Sequence, residues 1–266
     1  MFILYGRGGT RGIVHNRVMR RLLPLLPALM TMACGSRATL PAREEINVAT
    51  AANLTRVFAE LGQIFEHETG IHLVTSFGAT TQLAQQIEHG APYDVFAAAD
   101  TEHVDQLARK GLIFEDTRAV YARGKLVLWV PDSRTPVARL EDLARANVTH
   151  VAVANPQLAP YGRAAVETLS ALHLWEAVEP RIVFAQNISM ATQYAATGNA
   201  DVAFTALALV YDRAGRKIEI PAHLHAPIDQ AIAVLRSSSK PGQARKFVAF
   251  IAGAKARGIF KKNGYE

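Results

Sequence analysis

The sequence predicts an α/β protein of two lobes, each a mainly parallel sheet flanked by helices, joined by two crossovers. Three observations carry this. Short runs of branched and small apolar residues alternate with stretches whose apolar residues recur at helical spacing, the rhythm of βαβ units. Helical stretches close on glycines, at Gly70, Gly90, Gly111 and Gly198, where a left-handed residue ends a helix most easily. At 266 residues, half of them apolar, the chain can bury one large core or two modest ones.

The first unit begins at Ile46 with INVATAANLTRVF: a short buried strand, a turn of small residues, then a helix. Asn53 stands where a helix N-cap belongs, and Leu54, Val57, Phe58, Leu61, Ile64 and Phe65 form one apolar stripe. Ile71–Phe77 is a strand, Gly78-Ala79-Thr80 a small-residue turn, and Thr81–Gly90 a helix. Asp94–Ala98 is a short strand, followed by a helix over 101–110. The pattern changes at Tyr121–Lys125, after which KLVLWV is a strong strand ended by Pro131.

A second series follows. Val151–Asn155 is a strand, and Pro160-Tyr161-Gly162 opens a helix with Ala165, Val166, Leu169 and Leu172 inward. Arg181–Ala185 is a strand, and Asn187-Ile188-Ser189 opens a helix that closes near Gly198. Asp201–Thr205 and, after Pro221, Gln230–Leu235 are strands; a last helix starts near Gln243 with Phe247, Val248, Phe250 and Ile251 as its core face. The crossovers near 121–125 and 221–230 divide the chain into one lobe of 46–122 with 226–266 and another of 123–225. The cleft between them is the expected ligand site.

Residues 1–45 have another character: a targeting segment and a polar spacer. Met19-Arg20-Arg21 precedes LLPLLPALMTMA, a basic then apolar pattern of a secretory signal, too short to span a bilayer comfortably. Met19 is a sensible start as well as Met1, and Cys34 after Met32-Ala33 is a candidate for lipidation, against plain cleavage nearby. Arg7, Arg11, Arg17, Arg20 and Arg21 lie in this segment; removing these five from the chain's +6 leaves +1. The body is close to neutral, which argues against a nucleic-acid partner. Cys34 is the only cysteine, so disulfides and thiolate metal sites within the chain are excluded.

The chemistry points to the turns. Ala52-Asn53, Ala79-Thr80, Pro160-Tyr161 and Asn187-Ile188 each put free N–H groups at a helix start. Singly, each reads as an ordinary N-cap; converging, they would make a cage of donors with no formal charge, suited to a fully ionised oxyanion. Asp94 and Asp100 bracket a strand and read as structural carboxylates rather than an acid/base pair. His223 and His225 have no third ligand in view, and no serine sits in a nucleophile motif.

From about Ile46 to Tyr265 the chain resembles the molybdate-binding component of bacterial molybdenum ABC transporters. The resemblance lies in INVATAANLT, SFGATTQLAQQIEHGAP, YDVFAAAD, ANPQLAPYGRAAVETL, NADVAFTAL and the ending IFKKNGYE, in that order. It implies a two-lobed periplasmic binding protein fold of type II, with the oxyanion in the cleft. Carried over position by position, it implies ligand contacts at Ala52, Asn53, Thr80, Tyr161 and Ile188, the last two through backbone N–H groups. Thr205 falls where some members have a tyrosine that reaches the anion. Asn53, where many relatives have serine, is the other departure.

The implied function is an exported receptor that captures molybdate or tungstate and delivers it to an inner-membrane ABC permease. It would act as a monomer, without a cofactor or enzymatic activity, molybdenum being present only as the oxyanion. Phosphate keeps a proton at neutral pH and needs an acceptor, which none of the four turns supplies as Asp or Glu; molybdate carries none. The rival readings are a receptor for sulfate or another small anion, the effector-binding domain of a regulator, and an exported hydrolase.

Overall fold

The computed structural model describes residues 44–266 except 133 and 146. The signal segment, the choice of start and Cys34 lie outside the described residues. What is described belongs to one compact unit.

Strand β1 (Glu45–Ala51) is buried over almost its whole length, as its small and branched side chains allow. It runs through a 3-10 turn, Ala52–Leu54, into α1 (Thr55–Thr69), whose Val57, Phe58, Leu61 and Phe65 are buried. Gly70, with φ 74°, ends that helix. There follow β2 (His72–Gly78), α2 (Thr80–Glu88), β3 (Val95–Ala97) and α3 (Glu102–Arg109). The chain then forms β4 (Ala119–Gly124) and, one residue later, β5 (Leu126–Val130). Next come β6 (Val151–Ala154), α4 (Pro160–Ala171), α5 (Trp175–Val178), β7 (Ile182–Ala185) and α6 (Ile188–Ala196). The series ends with β8 (Val202–Ala206), α7 (Leu207–Val210), β9 (Arg216–Glu219), β10 (Ile228–Val234), α8 (Pro241–Ala252) and α9 (Ala254–Lys262).

Two five-stranded sheets result, in the orders β2-β1-β3-β10-β4 and β7-β6-β8-β5-β9. Each is mixed rather than mainly parallel. The pairs β1–β2, β1–β3, β6–β7 and β6–β8 are parallel, while β10 pairs antiparallel with β3 and β4, and β5 with β8 and β9. Parallel neighbours need a returning helix between them. The strands β4 and β5 pass straight from one sheet to the other with only Lys125 between, and no such return sets their direction. The ladder between β10 and β4 shifts register between Gln230 and Ala231, a bulge that re-aims the side chains there.

The C-terminal segment is two helices broken at Gly253, where one was expected. Phe247 of α8 meets Phe58 and Phe65 of α1 at ring distances of 5.9 and 5.1 Å. Beyond α9, Tyr265 packs edge-on against Phe260 at 5.3 Å, and Phe260 against Tyr121 of β4 at 5.1 Å. Each such buried aromatic contributes about 2–3 kcal/mol from area alone. This packing brings the end of the chain beneath the turn after β1. No helix among the described residues is long and apolar enough to cross a membrane.

Candidate functional site

The turns after β1 and β2, the loop before α4 and the turn before α6 meet at one small cavity. Two come from elements of the first sheet and two from the second. The lining comprises Ala51, Ala52 and Asn53; Gly78, Ala79 and Thr80 with Ala99; Ala159, Pro160 and Tyr161; and Asn187 with Ile188. No charged residue is in it, among the described residues.

Each helix start is built locally. Thr80 and Ile188 are the first residues of α2 and α6, and Tyr161 the second of α4, so their N–H groups have no partner inside their helices. Pro160 at the first position of α4 fixes φ where no N–H is needed. A Cβ on Gly162 would stand 2.1 Å from the Ala154 carbonyl oxygen, so glycine lets α4 seat directly on the end of β6. The Asn187 Oδ1 accepts from Met190 N at 3.0 Å and caps α6. The Thr80 hydroxyl accepts from Ala99 N at 3.2 Å, which leaves its own proton free to donate. Small side chains at Ala51, Ala52, Gly78, Ala79 and Ala159 leave the backbone accessible. The arrangement offers hydrogen-bond donors and positive helix ends to a small anion.

Asn53 departs from the N-cap expectation. It lies inside the 3-10 turn, and the residue before α1 is Leu54, without a side-chain cap. The Asn53 side chain is buried and turned to distant partners: its Nδ2 is 3.0 Å from Gln230 Oε1 and 3.1 Å from the Tyr265 hydroxyl. The Tyr265 hydroxyl donates to the Asn53 carbonyl at 2.9 Å. Gln230 Oε1 also lies 3.0 Å from the Tyr121 hydroxyl, and Gln230 Nε2 donates to the Tyr161 hydroxyl at 3.1 Å. Burial pushes all three phenols, Tyr121, Tyr161 and Tyr265, above the ordinary tyrosine range, so the network is uncharged at neutral pH.

Further contacts join the two halves around the cavity. The Ser189 hydroxyl donates to the Ala52 carbonyl at 2.8 Å, and Thr81 N to the Leu158 carbonyl at 3.2 Å. Arg163 of α4 donates to Asp100 at 2.9 Å and to Glu102 at 2.6 Å. Arg56 of α1 pairs with Asp212 and lies 4.9 Å from the centre of the Tyr211 ring.

Of the residues expected at the site, Ala52, Asn53, Thr80, Tyr161 and Ile188 line the cavity together. Thr205 does not: it is fully buried on β8, outside the lining, and its hydroxyl pairs with that of Thr192. Asp94 accepts from Asn47 N at 2.7 Å and from Ser238 at 2.6 Å, and Asp100 accepts from His103 N at 3.1 Å, both structural roles. Asp100, Glu102 and His103 stand close enough to hold a cation, but the Arg163 guanidinium already occupies the two carboxylates. A larger cavity lies at the crossovers, lined in part by Arg123, Lys125, His225 and Glu266; its charges are largely paired, Arg123 with Asp229 and Lys125 with Glu266.

Gln230, Tyr121, Tyr265 and Ser189 belong to the surroundings of the site without any sequence motif that marks them. For Gln230 a signal existed: a glutamine opening the apolar run QAIAVL must be hydrogen-bonded if that run is buried, and it is 0% exposed.

Residues 46–266 match the family model described as bacterial extracellular solute-binding protein. The molybdate-binding protein ModA of Azotobacter vinelandii is 36% identical over 238 residues, covering 88% of this chain and 92% of that one. ModA of Rhodobacter capsulatus is 36% identical over 225 residues, covering 83% and 88%. The solved structure of the Azotobacter vinelandii periplasmic molybdate-binding protein superposes with a TM-score of 0.77 at 34% identity, covering 83% of this chain and 98% of that one. The family model and these relatives alike are named for binding a solute. With its two mixed sheets and the cavity between them, the chain belongs to the bacterial extracellular solute-binding protein family, and within it to the ModA group.

Proposed function

We infer that this protein captures molybdate or tungstate in the cavity between its two sheets and delivers the anion to an inner-membrane ABC permease. The observation that carries this reading is the convergence of four chain turns, rich in N–H donors, on one cavity lined by no charged side chain. An anion there meets the backbone N–H groups of Asn53, Thr80, Tyr161 and Ile188 and the Thr80 hydroxyl. A dianion without protons suits such a lining, and the ModA relatives support the choice of molybdate.

The lobes are 46–122 with 226–266, and 123–225, and they close over the anion by hinge motion at the crossovers. The protein works as a monomer outside the cytoplasm, with no cofactor beyond the anion it carries. The secretory pattern before Cys34 supports export, with a lipid on Cys34 as the anchor. Mass spectrometry of the mature N-terminus tests the last point, since an unmodified Cys34 or an intact Met19 would reject the anchor.

The function is tested by calorimetry of the purified protein with molybdate, tungstate, sulfate and phosphate. Molybdate and tungstate should bind at least about a hundredfold more tightly than sulfate, a difference of about 2.7 kcal/mol. Equal affinity for sulfate, or none for molybdate, would reject the reading.

A further inference from the structure

The side-chain amides of Asn53 and Gln230 can each exchange their nitrogen and oxygen by a half-turn of the last torsion. The count of protons in the network therefore decides which way they face. With Asn53 Nδ2 toward Gln230 and Tyr265, Asn53 Oδ1 is left buried without a partner, the only side-chain nitrogen or oxygen so left among the described residues. A buried acceptor without a partner forfeits the hydrogen bond it would make to water. The same arrangement gives the single Tyr121 hydroxyl proton two acceptors, the Ala98 carbonyl at 2.9 Å and Gln230 Oε1 at 3.0 Å. The Tyr161 hydroxyl accepts from Gln230 Nε2 and donates to none of the described residues.

One change removes these three irregularities, in exchange for two unclaimed Asn53 N–H donors and a Tyr265 proton shared between two acceptors. With both amides turned, the Gln230 nitrogen donates to the Asn53 oxygen and to the Tyr121 hydroxyl oxygen. Tyr121 gives its one proton to the Ala98 carbonyl, and Tyr161 gives its proton to the Gln230 oxygen. The Tyr265 proton lies between the carbonyl and amide oxygens of Asn53. The Asn53 NH2 then takes the place of the orphaned oxygen, and two unclaimed donors replace an unclaimed acceptor at a residue that lines the cavity.

We propose that Gln230 is a positioning residue which holds the Asn53 carboxamide with its NH2 toward the cavity, making that wall a donor and so selecting anions that carry no proton. Gln230 is placed for this by the bulge in the β10–β4 ladder and is fully buried among Asn53, Tyr121 and Tyr161. It never touches the ligand. The ligand in this statement rests on the oxyanion reading above; the orientation of the amides is a property of the free protein.

Two measurements test it. Neutron diffraction from crystals of the perdeuterated, ligand-free protein locates the amide deuterons. They should lie on Gln230 toward Asn53 and Tyr121, and deuterons of Asn53 toward Gln230 and Tyr265 would overturn the proposal. Calorimetry with molybdate then compares Gln230→Met, Asn53→Ala and the double variant. Gln230→Met should weaken binding about tenfold, as expected for one well-placed donor to an anion. The double variant should bind no more weakly than Asn53→Ala, because Gln230 acts only through Asn53. Losses that multiply, or an unchanged Gln230→Met, would overturn the proposal. If the unaltered protein binds none of the four oxyanions, the functional reading fails separately, and the neutron result still decides the orientation.

Discussion

The Ser189 hydroxyl donates to the carbonyl oxygen of Ala52 at 2.8 Å, joining the first turn of α6 to the turn after β1 across the cavity. Ala52 lines the cavity and Ser189 adjoins Ile188, which does too, so the bond exists only while the two turns stand together. Ser189→Ala should leave the fold intact and weaken molybdate binding by about 0.5–1.5 kcal/mol, the net value of one neutral hydrogen bond. Calorimetry of the variant measures this, and a faster off-rate in stopped flow would show that the closed form is what has been lost.

Thr205 supplies the complementary case. It is buried, outside the cavity lining, and its hydroxyl is paired with Thr192. Thr205→Val should cost about 1 kcal/mol of stability by leaving the Thr192 hydroxyl with one partner fewer. Molybdate affinity should stay within about twofold of the unaltered protein, a difference too small for a lost charge-assisted bond. A large loss of affinity with unchanged melting would place Thr205 against the ligand after all.

The contrast between these two residues shows what the sequence made legible. The buried strands were readable because a strand covered on both faces is a run of small and branched residues, as in β1 and β6. The small-residue turns that follow were readable for the same reason. Strands β4 and β9 are not legible in this way: they lie at sheet edges, carry arginines and a lysine, and expose part of their length, so their pattern is that of a loop. Asn53 was identified as a site residue, but its capping role was not what the fold gave it. Its partners lie 177 and 212 positions away, beyond the reach of any local pattern.

Asp212 gives a dependence on pH. Its hydrogen bond with Arg56 holds the carboxyl below the ordinary range, and the same bond raises the Arg56 guanidinium. A depressed carboxylate stabilises the folded state above its unfolded value, near about 4, and that contribution is lost as pH falls through its lower folded value. Both side chains are substantially exposed, so the pair contributes at most about 1 kcal/mol. Asp212→Asn should therefore melt slightly lower than the unaltered protein at pH 7, and the difference should be smaller at about pH 3 or in about 1 M salt. Differential scanning calorimetry at the two pH values checks both sign and size.

Gly124 closes β4 where the chain leaves the first sheet, and a Cβ there would stand 2.0 Å from the Tyr161 hydroxyl oxygen and 2.7 Å from Gln230 Nε2. Gly124→Ala must displace Tyr161, whose backbone belongs to the cavity. Overpacking of this kind costs about 1–3 kcal/mol, which lowers the melting temperature of a chain this size by several degrees. Molybdate affinity should fall with it, whereas Gly242→Ala, at a glycine whose added Cβ meets nothing within 4 Å, should leave both unchanged.

Asn53→Asp is the sharpest test of the cavity as an all-donor site. The substitution keeps the shape of the side chain and replaces a carboxamide with a carboxylate at a position 1% exposed. At pH 7 the ionised carboxylate of this variant would face a dianion across a cavity lined by no countercharge, and affinity should fall by about a hundredfold or more. Burial disfavours the ionised form, so the introduced carboxyl should titrate above its ordinary range. Part of the affinity should then return as pH is lowered from 8 toward 6.5, a trend that the unaltered protein and Asn53→Ala should lack. Calorimetric titrations of the three proteins across that range measure the effect; retained affinity in Asn53→Asp at pH 8 would remove Asn53 from the ligand's surroundings.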